Sequence, residues 1–227
     1  AAGRALAEAP LKLVATTGMI ADATRQIGGD QVEVKALMGP GVDPHAYRQT
    51  RSDIVAMTRA DLVLWHGLYL EAQMQEFFHE LERKRVVVAV AEGLPKDLLR
   101  GHDDYADKYD PHVWMTPVLW KLVVAEVQKA LTEARPDSAD IFAANAKTHL
   151  ADLDQLIAYG DKVLATVPDR NKVLVTAHDA FGYFGQYYGF EVLGIQGIST
   201  QSEAGLNRIG ELVNMLVERQ IDAVFVE

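Results

Sequence analysis

Apolar positions along the chain come in short runs separated by amphipathic stretches of helical spacing. Leu11 to Thr17 reads as a first strand; Gly18 breaks it, and Met19 to Ile27 fits a short helix ended by Gly28-Gly29. Val32 to Leu37 alternates as a second strand and runs into the Gly/Pro-rich loop Met38 to His45. Ser52 to Arg59 reads as a helix with Ser52 at its N-cap, Asp61 to Trp65 as a strand, and Leu70 to Lys84 as a helix. Val86 to Val90 is wholly apolar, as expected for a parallel strand covered on both faces. Glu92 to Asp110 is a polar loop, after which Thr116-Pro117 opens a helix to about Ala134. Ser138 to Val167 predicts one long helix, roughly 45 Å at 1.5 Å per residue. Leu150, Leu153, Ile157, Val163 and Leu164 mark its apolar spacing, and Gly160 is its weak point. The pattern then restarts: strand 172–177, helix 180–187, strand 190–194, a Gly/Ser/Thr loop at 197–202, helix 203–219 and strand 221–226.

Strands alternating with helices define an α/β protein with mostly parallel sheets. The long helix predicts a join between two lobes. The expected division is an N-terminal α/β lobe at 1–136, a linking helix at 137–168 and a C-terminal α/β lobe at 169–227. That last lobe is expected to be incomplete, because its final buried-type strand ends at Glu227 with no helix to cover it. Ligands in such sheets bind at the carboxyl ends of strands. His45, His66, His112 and His178 all lie just beyond apolar strands or in the loops that follow them.

Composition narrows the chemistry. With 22 Lys+Arg against 32 Asp+Glu, the net charge of −10 argues against nucleic acid, whose phosphates need basic patches. The sequence has no cysteine, so disulfides, thiolate metal sites and a lipid-bearing cysteine are excluded within it, and any metal would need nitrogen and oxygen ligands. No apolar run reaches the roughly 20 residues needed to cross a bilayer. No signal peptide is visible, and Ala1 to Pro10 reads as a loose mature end.

Two tripeptides stand out: Asp43-Pro44-His45 and Asp110-Pro111-His112. Proline fixes its own φ and biases the preceding residue toward extended backbone, so each histidine sits on a short, stiff corner. A third candidate, His178, follows the strand Lys172 to Ala177. The hypothesis is that these three converge on one metal ion, since neutral imidazole is the commonest nitrogen ligand. Asp43, Asp110 and Asp179 are candidates to take the second ring proton of a histidine. His66 fits a cleft-lining or supporting role, while His79, His102 and His149 read as surface or helix-face residues. Tyr183, Phe184, Tyr187 and Tyr188 read as core. His79-Glu80 is no zincin motif, because position 83 is Arg83, and no phosphate loop, nucleophile elbow or dinucleotide fingerprint is present.

The same stretches resemble a known family. Thr17 to Asp22, Leu37 to His45, Asp110 to Trp114 and Val175 to Phe184 are similar to the cluster A-I solute-binding proteins, the metal-binding components of bacterial zinc and manganese ABC importers, and above all to TroA-like members. The resemblance covers the chain from about Leu11 to Glu227. It implies two α/β lobes joined by a rather rigid helix, with a metal in the cleft. It carries the three histidine ligands onto His45, His112 and His178. A fourth ligand, a carboxylate, is expected beyond Glu227, in a C-terminal segment absent from this sequence. The long histidine-rich loop of dedicated zinc importers is not matched, since Glu92 to Asp110 is short and holds only His102.

The resemblance implies a monomeric, periplasmic (extracytoplasmic) protein that takes Zn2+ or Mn2+ as transported ligand and hands it to a membrane ABC permease, with no catalysis. Ligand type and affinity order rank zinc above manganese, with iron and others below. The rival readings are a metal-dependent hydrolase using a three-histidine zinc site, for which Glu203 is the candidate base, and a metal-independent adhesin or interaction module.

Overall fold

The structure is a computed structural model that describes residues 9–102, 105–201, 205–221 and 223–225. In the first lobe, β1 (Leu11–Ala15), β2 (Val32–Ala36), β3 (Leu62–Trp65) and β4 (Val86–Ala89) form one sheet in the order β2-β1-β3-β4, with every pairing parallel. Successive side chains of a strand point to opposite faces. Leu13 and Ala15 of β1 and Leu62 and Leu64 of β3 therefore enter one core, with α1 (Gly18–Gly28), α4 (Pro117–Ala134) and α5 (Ala139–Leu164). Val14, Val63 and Trp65 enter the other core, with Met57 of α2 (Arg51–Arg59) and Phe78 of α3 (Gln75–Glu82). Trp65 stacks on Phe78 at 4.5 Å between ring centroids. The chain leaves β1 toward β2 and returns on the other side to β3, so the switch point of the sheet lies between the ends of β1 and β3.

Two short strands, β5 (Gly101–His102) and β6 (Tyr105–Tyr109), pair antiparallel within the segment read as a polar loop. The second lobe holds β7 (Val173–Thr176) and β8 (Glu191–Gly194), paired in parallel, with α6 (Gly182–Tyr188) between them and α7 (Leu206–Glu218) after them. The strand expected at 221–226 is represented among the described residues by a parallel bridge from Phe225 to Thr176. The protein is thus α/β, two lobes joined by one long helix. That helix, α5, spans 26 residues and buries Phe142, Ala146 and Leu153.

Several local expectations are corrected. Helix α2 is capped by Thr50, not Ser52: Thr50 and Asp53 form a reciprocal capping box, and a carboxylate at the third helical position suits that role better than a bare serine cap. Gly18 opens α1 rather than ending β1, with the Thr17 hydroxyl accepting from the Ile20 amide. The Leu70 to Lys84 segment begins as a 3-10 turn at Ala72–Met74, because residues 67–69 adopt left-handed backbone. Val86 is 56% exposed, since β4 is an edge strand of the sheet. Helix α5 runs unbroken through Gly160. A Cβ there would lie 2.5 Å from the Tyr188 hydroxyl, so the missing side chain admits close packing from α6.

Candidate metal centre

The repeated tripeptide has one local cause. In each copy the aspartate Oδ1 accepts the histidine backbone N–H two residues on, at 2.9 Å for Asp43–His45 and 2.9 Å for Asp110–His112. The intervening proline has no N–H to compete for it. His45 is thereby presented from the loop after β2, and His112 from the loop before α4. His178 lies just past β7, where its carbonyl accepts the buried Thr176 hydroxyl at 2.7 Å.

These three side chains, far apart in sequence, meet. His45 Nε2 is 3.1 Å from His112 Nε2, and His178 Nε2 is 3.3 Å from the same atom. One nitrogen from each ring lies within 4.8 Å of the others, and all three residues are buried. Two nitrogens bound to one tetrahedral zinc at about 2.05 Å would stand about 3.3 Å apart, close to both spacings. Among the described residues this is the only such cluster of histidines and carboxylates.

A second partner aims the lone pair of His112 inward. His112 Nδ1 lies 2.7 Å from Asp110 Oδ1, a charge-assisted bond in which the ring donates and Nε2 keeps its lone pair. Burial, and then repulsion from His112, push His45 down to about 4, so this imidazole is neutral at pH 7. The Asp43 carboxylate reaches the second lobe, where its Oδ2 accepts the Thr200 hydroxyl at 2.6 Å.

His66 is not at the centre but behind it. It is fully buried and its Nε2 donates to the Pro111 carbonyl at 2.7 Å, bracing the loop that carries His112. Its Nδ1 has no hydrogen-bond partner, and burial drives the ring down to about 3. Glu71, also fully buried, ties the switch point together. It accepts from Thr16 Oγ1 at 2.6 Å, the His66 amide at 2.8 Å and the Gly67 amide at 3.2 Å. Its carboxyl is raised by burial, against these bonds. The same bonds fix the left-handed run Gly67, Leu68 and Tyr69, two of which are not glycine and adopt that conformation at a cost.

Sequence reasoning passed over two contacts. Tyr183, read as core, is buried, yet its hydroxyl donates to the Asp110 carbonyl at 2.7 Å. Its place five residues after His178 was the available signal. Thr200 sits in a loop whose composition marks it only as a turn. His79 is on the surface, as expected, whereas His149 has a buried Nε2. The side chain of His102 lies outside the described residues, as do Glu203, residues 1–8 of the first segment, and residues 222 and 226 of the last expected strand.

Fold and centre together define a two-lobed binding protein whose cleft presents three buried imidazoles. The chain belongs to the ZnuA family, described as the periplasmic component A of a zinc-uptake complex, whose pattern matches residues 13–227. It is similar to the manganese-binding lipoprotein MntA of Bacillus subtilis (strain 168), with 45% identity over 97% of this chain and 72% of that protein. It is also similar to the zinc-binding protein TroA of Treponema pallidum (strain Nichols), with 42% identity over 95% of this chain and 69% of that protein. The solved structure of the periplasmic zinc-binding TroA superposes with a TM-score of 0.92 at 41% identity, covering 96% of this chain and 78% of that one. The protein is accordingly a metal-binding solute-binding protein of the zinc and manganese ABC-transporter class. These likenesses lend no support to the hydrolase alternative. Among the described residues no helix is long and apolar enough to cross a membrane.

Proposed function

We propose that the protein captures one Zn2+ or Mn2+ ion outside the cytoplasm with His45, His112 and His178, and delivers it to a membrane ABC permease as a monomeric carrier. The observation that carries this reading is the convergence of three buried histidines, with two of the Nε2–Nε2 spacings close to those around a tetrahedral ion and one nitrogen from each ring within 4.8 Å of the others. A carboxylate is the fourth ligand in this reading. The lobes divide as 1–136 and 169–227, with 137–168 as the linking helix. Both relatives named above bind these metals by description, one manganese and one zinc.

Three buried imidazoles suit zinc over manganese, which prefers harder oxygen ligands and more of them. Burial strips water from the rings in advance, so binding exchanges ion hydration for preoriented nitrogen lone pairs. No bond of a substrate is made or broken, and the ion leaves as it came. Elemental analysis of the purified protein, followed by zinc and manganese competition titration, tests the reading. One zinc retained per chain is the expected result. Tight manganese binding with little zinc overturns the metal ranking, and no retained metal overturns the carrier itself.

A further inference from the structure

Arg100 stands at the meeting of the two lobes, behind the metal centre. Its Nη1 donates to the Gly182 carbonyl at 2.8 Å, its backbone N–H donates to the Tyr183 hydroxyl at 3.1 Å, and its Nε lies 3.7 Å from Asp110 Oδ2. That Nε is buried and has no hydrogen-bond partner of its own, so it faces the carboxylate alone. The other oxygen of the same carboxylate takes both the His112 amide and His112 Nδ1. The Arg100 carbonyl accepts the Asp110 amide at 2.9 Å, which clamps the two segments back to back. The fit on the far side is close: a Cβ on Gly182 would lie 2.7 Å from Nε and 2.8 Å from Cζ of the guanidinium. Gly182 opens α6, four residues after His178.

One side chain therefore touches the supports of two candidate ligands in different lobes. Through Asp110 it acts on the ring of His112, and through the Gly182 carbonyl it acts on the segment that carries His178. We propose that Arg100 is a positioning residue of the metal centre: its guanidinium holds the Asp110 carboxylate against the His112 ring and pins the α6 end that sets His178 beside it. A planar fork with several fixed donors can serve a carboxylate and a carbonyl at once, whereas a lysine ammonium is a single point charge. The inference rests on the metal-carrier reading above.

The test uses Arg100→Met and Arg100→Lys, with Gly182→Ala as a variant that leaves Arg100 and Asp110 chemically intact but pushes the guanidinium away. Zinc affinity is measured by chelator competition, and the His112 ring Nδ1–H is followed by NMR in metal-free protein. Loss of a ligand's outer support commonly costs about 10–100-fold in metal affinity. That loss is expected in Arg100→Met and in Gly182→Ala, with incomplete recovery in Arg100→Lys and weakened protection of the Nδ1–H in the metal-free variants. A merely structural arginine would lower melting temperature and leave the Nδ1–H signal unchanged. Wild-type affinity and signal in folded Arg100→Met overturn the proposal, and if that variant does not fold, the same result in Gly182→Ala does so. Wild-type protein that binds neither zinc nor manganese refutes the carrier reading instead, while the metal-free NMR result still decides the positioning role.

Discussion

Replacing His66 by phenylalanine turns the burial of one imidazole into a measurable pH dependence. His66 is fully buried with its proton affinity down to about 3, against 6.5 for an ordinary histidine. The unfolded chain thus takes up a proton that the folded chain refuses, and stability is lost as pH falls below 6.5 toward 3. Between pH 7 and pH 5 that single ring accounts for about 2 kcal/mol of lost stability, from a depressed folded value and a normal unfolded one. Phenylalanine carries no such proton. At pH 7 the variant leaves the Pro111 carbonyl without its donor, a cost of about 1–3 kcal/mol. The difference between wild type and variant is therefore expected to shrink by about 2 kcal/mol on going to pH 5. Glu71 has the opposite sense, because its raised carboxyl favours the folded state at lower pH. It cancels in the comparison, since its bonds are to backbone amides and Thr16, which phenylalanine leaves in place. Urea unfolding of both proteins with EDTA present, at pH 7 and pH 5, gives the two differences. A stability difference that is the same at both pH values, within about 0.5 kcal/mol, refutes the reasoning.

Three further outcomes follow from the same geometry. His112→Ala, which removes the nitrogen shared by both short spacings, is expected to weaken zinc binding by more than about 100-fold in chelator competition; unchanged affinity would remove His112 from the centre. Zinc at about a thousandfold over its dissociation constant is expected to add about 4 kcal/mol, raising the melting temperature by about 8–16 °C, and EDTA should reverse it in a thermal scan. Phe142→Ala, at a fully buried position of α5, is expected to cost about 3–5 kcal/mol in denaturant unfolding while zinc affinity in the folded protein holds.

The alternation of strands and helices was legible because parallel strands covered on both faces are wholly apolar and their crossover helices are amphipathic. The three histidines were legible because each follows a strand or a stiff Asp-Pro corner. The carboxylate–amide bond inside each Asp-Pro-His explains why that spacing recurs. What escaped depends on contacts between distant segments. Arg100 and Gly182 lie on different lobes, and nothing local distinguishes Arg100 from any other arginine in a polar stretch. The Thr50 cap was missed because serine at 52 satisfies the same local rule. The β5–β6 pair was missed because its short strands carry little apolar alternation.

Gly160 gives the long helix a notch. The phenol of Tyr188 seats there, against bare backbone, where any larger residue would stand in its way. How closely that ring rests on the connecting rod thus turns on one absent carbon atom. An alanine at 160 would act as a shim between rod and ring: either the phenol swings aside or α6 gives way.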